Sequence, residues 1–102
     1  MTKEDCIRRF NALNNWLDII TTGNFAHNIA NVKCHLSNFK IILERNPMLK
    51  EENTNLITAW IDAMLTLCNK THVGNVNDNM NELRVKIKDS KEYINIFMSD
   101  EK

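Results

Sequence analysis

Glycine and proline are scarce in this chain: its 102 residues hold two glycines and one proline. A domain of this size built from β-strands needs many tight turns and ordinarily spends both residues on them. The scarcity therefore excludes an all-β reading and favours helices. Long apolar runs are missing too. Stretches such as Ile41-Ile42-Leu43 and Ala63-Met64-Leu65 stop at three residues, against the roughly 18 needed to span a bilayer, so no membrane partner is expected. Neither sign of charge is in excess, with thirteen basic residues balancing thirteen acidic ones. Such a chain has no long-range field to draw it to nucleic acid or an anionic surface. Three cysteines, an odd number without framework spacing, fit a reducing compartment better than a disulfide scaffold. The N-terminus carries Glu4 and Asp5 and no continuous apolar segment, so it does not read as a secretory signal. A cytoplasmic protein is expected.

What is present suffices for one hydrophobic core and not for two. Hydrophobic residues make up 43% and charged residues 25%, which argues against disorder. Asparagine is over-represented, sixteen against no glutamine. Because Asn is a poor helix former, these helices should depend on tertiary packing. The Asn, Ile and Lys enrichment also matches AT-rich coding, as in a phage or other mobile element.

Four segments carry helical periodicity. The first opens on Thr2-Lys3-Glu4-Asp5, a capping box, and repeats apolar residues at Cys6, Phe10, Leu13, Leu17 and Ile20; Gly23 is expected at its C′ position. In the second, Asn24 caps a stripe of Phe25, Ile29, Val32, Leu36, Phe39 and Leu43. Asn46-Pro47 then reads as stop and restart. The third, Leu56 to Cys68, is apolar except for Thr58, Asp62 and Thr66. Asn69 to Asn79 reads as the longest loop, and the fourth stripe follows with Met80, Leu83, Ile87, Ile94 and Phe97. The spacing predicts helices over about 3–22, 24–45, 47–70 and 78–98, forming an all-α, antiparallel, up-down four-helix bundle across residues 1–102 as a single domain. Completion or extension by dimerisation is the alternative. No internal repeat, low-complexity tract or domain boundary is visible.

Sites for chemistry are thin. His27 and Cys34 share a helix face but are separated by about 10 Å along it at 1.5 Å per residue, too far to ligate one zinc ion. His72 has no ligand at metal-binding spacing. No metal, cofactor or catalytic group is therefore expected, and the chain does not read as an enzyme. The run Ala26-His27-Asn28-Ile29-Ala30-Asn31 places a histidine as histidine phosphotransfer bundles do. Ala30 and Asn31 stand where that family carries Lys and Gly, and the comparison implies only an alternative signalling role for His27. Arg84, Lys88 and Lys91 form a mild basic row on the fourth helix, interrupted by Glu82, Asp89 and Glu92; a weak nucleic-acid binder is the second alternative.

The third segment has more apolar residues than one stripe needs. Leu56, Trp60, Ile61 and Leu65, with Asp62 among them and Val85 and Ile96 off the main stripe of the fourth helix, are the candidate partner-binding residues. Each aliphatic side chain left in water forfeits roughly 1.5–3 kcal/mol. The expectation is a non-enzymatic protein-binding module, of accessory, inhibitor, immunity or antitoxin type, with Trp60 and Ile61 as anchors and a homodimer as one form of partner.

Overall fold

The computed structural model describes residues 2–45 and 51–97. Four helices follow one another: α1 (Lys3–Asp18), α2 (Phe25–Arg45), α3 (Glu51–Asn69) and α4 (Val76–Phe97). Each packs against its neighbours in sequence, and α4 closes back onto α1, leaving α1 opposite α3 and α2 opposite α4. This is the four-helix bundle, 45 × 24 × 18 Å, with no strand among the described residues.

The core follows the apolar spacing. Cys6, Phe10, Leu13 and Leu17 of α1 meet Ile29, Val32, Leu36, Phe39 and Leu43 of α2, Ile57, Ile61, Met64 and Cys68 of α3, and Val76, Met80, Leu83, Ile87 and Ile94 of α4. Phe10 and Phe39 pack edge to face with ring centroids 5.1 Å apart. At α1 the capping box forms as expected: the Thr2 hydroxyl accepts from the Asp5 N–H at 3.2 Å, and Asp5 accepts from the Thr2 N–H at 3.1 Å.

Several boundaries differ from the periodicity. α1 ends at Asp18 rather than 22, and Gly23 does not take the left-handed conformation of a C′ glycine. A side-chain clamp ends the helix instead. Asn24 Oδ1 accepts from the Thr21 N–H at 2.7 Å while Asn24 Nδ2 donates to the Ile19 carbonyl at 3.1 Å. Asn24 still precedes α2, its carbonyl accepting from the Asn28 N–H. Between α3 and α4 the long loop shrinks to Lys70–Asn75, because Asn75 closes the turn and Val76 opens the buried stripe. The predicted helix start at 47 and the Asn46-Pro47 signal lie outside the described residues, as does the side chain of Phe97.

The two turns are the same turn. His72 N–H donates to Asn75 Oδ1 at 2.8 Å, Asn75 Nδ2 donates to the Lys70 carbonyl at 3.1 Å, and the Asn75 carbonyl accepts from Asn79 N–H. Each of these bonds repeats one around Asn24, displaced by 51 residues. The displacement holds along the whole fold. Buried Cys6, Phe10, Leu13 and Leu17 correspond to buried Ile57, Ile61, Met64 and Cys68; buried Ile29, Val32, Leu36, Phe39 and Leu43 correspond to buried Met80, Leu83, Ile87, Ser90 and Ile94. The expectation of no internal repeat is thus corrected at the level of structure. Only Ala12/Ala63, Gly23/Gly74, Asn24/Asn75, Asn28/Asn79 and Lys40/Lys91 are identical pairs across the described halves, too few to show as a repeat.

Candidate functional site: the outer flank of helices 3 and 4

α3 accommodates its apolar residues better than its composition suggested. One stripe, Ile57, Ile61, Met64 and Cys68, is wholly enclosed. Leu56, Trp60, Leu65 and Leu67 lie half-buried on the two sides of that stripe, and the solvent face is Asn55, Ala59, Asp62, Ala63 and Thr66. Ile61, expected as an anchor, has no exposed surface to present. Its place on the inward stripe, four residues after Ile57, assigns it to the core.

The remaining candidates divide. Trp60 faces α4, where it meets Tyr93 edge to face at 5.1 Å and 82°. Leu56 lies one turn before Trp60 on α3, and Ile96 lies one turn beyond Tyr93 on α4 with 71% of its surface exposed. Since neighbouring helices run antiparallel, these four residues occupy one end of the α3–α4 flank. Asp62 and Leu65 are turned the other way, towards α2. There Asp62 accepts from Lys40 Nζ at 2.9 Å, and the paired carboxylate raises the Lys40 pKa. Val85, 56% exposed, lies on the same outer face of α4 as Ile96 but three turns away along it. Tyr93 was not among the expected site residues; a ring four residues before the end of a charged helix gives no apolar stripe to mark it.

The chemistry-bearing side chains do not converge. His27 is exposed and has no hydrogen bond or ion pair among the described residues, and no Lys or Arg lies within one turn of it on α2. Cys34 is exposed, whereas Cys6 and Cys68 are buried, which pushes each of those thiols up to about 11 and keeps them protonated and inert. No group of three or more His, Cys, Asp or Glu among the described residues stands where it could hold a metal ion. A shallow depression of about 240 Å³ beside Asn15, Trp16 and Ile19 opens at the turn end of the bundle and is lined by no acid or base. Of the basic row on α4, Arg84 donates to the Leu17 carbonyl and pairs with Asp18, while Lys91 donates to Asn11 at 2.6 Å. Two of its three cations are therefore engaged by α1. No described helix is long and apolar enough to cross a membrane.

The 51-residue correspondence separates what the fold requires from what it tolerates. Leu56, Trp60, Tyr93 and Ile96 occupy the positions that Asp5, Arg9, Ile42 and Arg45 hold in the α1–α2 half. Three of the four are charged there and apolar here, on the same scaffold at equivalent depth. Likewise exposed Val85 corresponds to exposed Cys34. Comparison with known proteins leaves these contrasts as the guide to the site: no family model, no curated protein and no solved structure matches the chain.

Proposed function

We propose that the chain is a non-enzymatic protein-binding module whose contact surface is the α3–α4 flank formed by Leu56, Trp60, Tyr93 and Ile96. The observation that supports this reading is the asymmetry between the halves. Equivalent positions in α1 and α2 accept Asp5, Arg9 and Arg45, so apolar residues at 56, 60 and 96 are not needed to build the bundle. Burial of the remaining surface of a partly buried tryptophan and of a largely exposed isoleucine against a partner is a gain available only on binding. Trp60 is already held by Tyr93, which lowers the entropy lost when it docks. Ile61 and Leu65 serve the core and the α2 side, and Asp62 is satisfied by Lys40. The partner chemistry is a protein surface that is apolar at its centre. A second copy of this chain and a target of an inhibitor, immunity or antitoxin protein both answer that description.

The test grafts the charged residues of one half onto the other. Trp60→Arg with Ile96→Arg should leave the helical circular dichroism and cooperative unfolding in place. Capture of the partner from lysate, or dimer formation in light scattering, should fall at least about tenfold, as expected when an aromatic anchor is removed. A folded double variant that binds as wild type would place the contact elsewhere.

A further inference from the structure

We infer that the chain is a fused pair of one helix–turn–helix unit, α1–α2 and α3–α4, in which each unit is the other's docking partner through the same inward face. The bundle is in effect a dimer within one chain. An up-down bundle of four helices makes some likeness between halves unavoidable, since α1 and α3 run one way and α2 and α4 the other. Three features go beyond that geometry. The turns are of one length and close with the same side-chain and backbone bonds around Asn24 and Asn75. Buried positions keep the 51-residue displacement through both helices, including Ser90, which is fully enclosed opposite the register of Phe39 and satisfies its hydroxyl on the Lys86 carbonyl at 2.8 Å. The polar bridges between halves also come in matched pairs. Lys33 to Asn69 at 3.3 Å repeats as Arg84 to Asp18 at 3.5 Å, and Lys40 to Asp62 at 2.9 Å repeats as Lys91 to Asn11 at 2.6 Å. In each pair the cation on the second helix of one unit reaches the first helix of the other. The 51-residue displacement exchanges the two units and carries each bridge onto its counterpart.

The two copies have diverged most in one layer of the core. Phe10 and Phe39 fill it from the first unit, Ile61 and Ser90 from the second. Large residues on one side are thus matched by small ones on the other, so neither unit could simply be duplicated as it stands: two pairs of phenylalanines would overpack the layer and two serines would leave it hollow. If the units are interchangeable, the residue sets can be traded between them within the full chain. The variant Phe10→Ile, Phe39→Ser, Ile61→Phe, Ser90→Phe performs that trade. A control, Phe39→Ser, Ile61→Phe, Ser90→Ile, puts the same four residue types in the layer but sets the phenylalanines on the opposed helices α1 and α3. Thermal unfolding followed by circular dichroism should show the traded variant keeping a cooperative transition near that of wild type, while the control loses most of its melting temperature or its cooperativity. Equal stability of the two variants, or a traded variant less stable than the control, would overturn the inference. The comparison remains decisive where the control does not fold, because the traded variant is then read against wild type alone.

Discussion

At the scale of single residues, the interior of this bundle tolerates a few polar atoms on strict terms. Ser90 is completely buried yet donates to the Lys86 carbonyl one turn back, so it carries no unsatisfied hydroxyl. His35 is the opposite case. Its Nε2 is buried without a partner, and burial first, then the nearby Arg9 charge, lowers its pKa below the ordinary 6.5 against a weaker pull from the Arg9 backbone. In the unfolded chain the ring takes up a proton near pH 6.5; in the folded chain it does so only at lower pH. Between those values the unfolded state binds more protons, so the contribution of neutral His35 to stability is present above about pH 6.5 and is lost as the pH falls through the folded value. Chemical denaturation of wild type and His35→Gln at pH 7.5 and pH 5 should show wild type losing more stability over that interval. Parallel losses would mean that the ring takes up its proton equally readily in the folded and unfolded chain. Ser90 also marks where sequence reading falls short: it stands on the inward stripe of α4, three residues after Ile87 and four before Ile94, but a polar residue type does not announce a buried position.

At the scale of elements, the four helices and most of their inward residues were legible, because 3.6-residue apolar spacing is imposed by the core itself. The ends were less so. Gly23 looked like a C′ glycine, but it is the next residue, Asn24, that closes the turn with its side chain, and the same amide recurs at Asn75 in a stretch whose asparagines read as loop. Propensity gave the wrong boundary there because tertiary burial of Val76 and Met80 outweighs the small helix cost of Asn77 and Asn79. The glycines before these asparagines are not equivalent in what they require. A Cβ on Gly23 would meet only Thr21 Oγ1 at an ordinary 3.8 Å, whereas on Gly74 it would press on the His72 ring at 3.1–3.2 Å, the ring that accepts the Gly74 N–H. Asn24→Ala and Asn75→Ala each delete two side-chain hydrogen bonds and should each cost about 1–2 kcal/mol, a fall of several degrees in melting temperature for a domain of this size. Similar losses at both sites are expected. A neutral result at either would show that its turn is set by the backbone alone.

At the scale of the molecule, the candidate site was only partly legible. Leu56, Trp60 and Ile96 are brought to one end of one flank, but Ile61 belongs to the core, Asp62 and Leu65 to the α2 side, and Val85 lies three turns from Ile96 along the outer face of α4. An excess of apolar residues in α3 says how many must leave water and not which flank receives them. That flank was visible only after the halves could be laid over each other, since the charged residues of α1 and α2 mark positions where water is acceptable. The halves themselves were hidden because a core position asks for bulk and apolarity rather than for one residue type, so Phe10 can answer Ile61 and Leu17 can answer Cys68 without identity.

One contact carries a consequence of its own. The Lys3 ammonium reaches the Asn95 carbonyl at 3.5 Å, so the first turn of α1 lies beside the last turn of α4. The order in which the helices are strung is then a matter of covalent convenience. A circular permutant that joins the two ends with a short flexible linker and is reopened between Thr22 and Gly23 should regain the same helical spectrum and a cooperative melt. It should be less stable than the parent by no more than the Asn24 clamp that the cut disturbs, about 1–2 kcal/mol. A permutant that stays unfolded would show that α1 and α2 must be joined directly for the bundle to assemble.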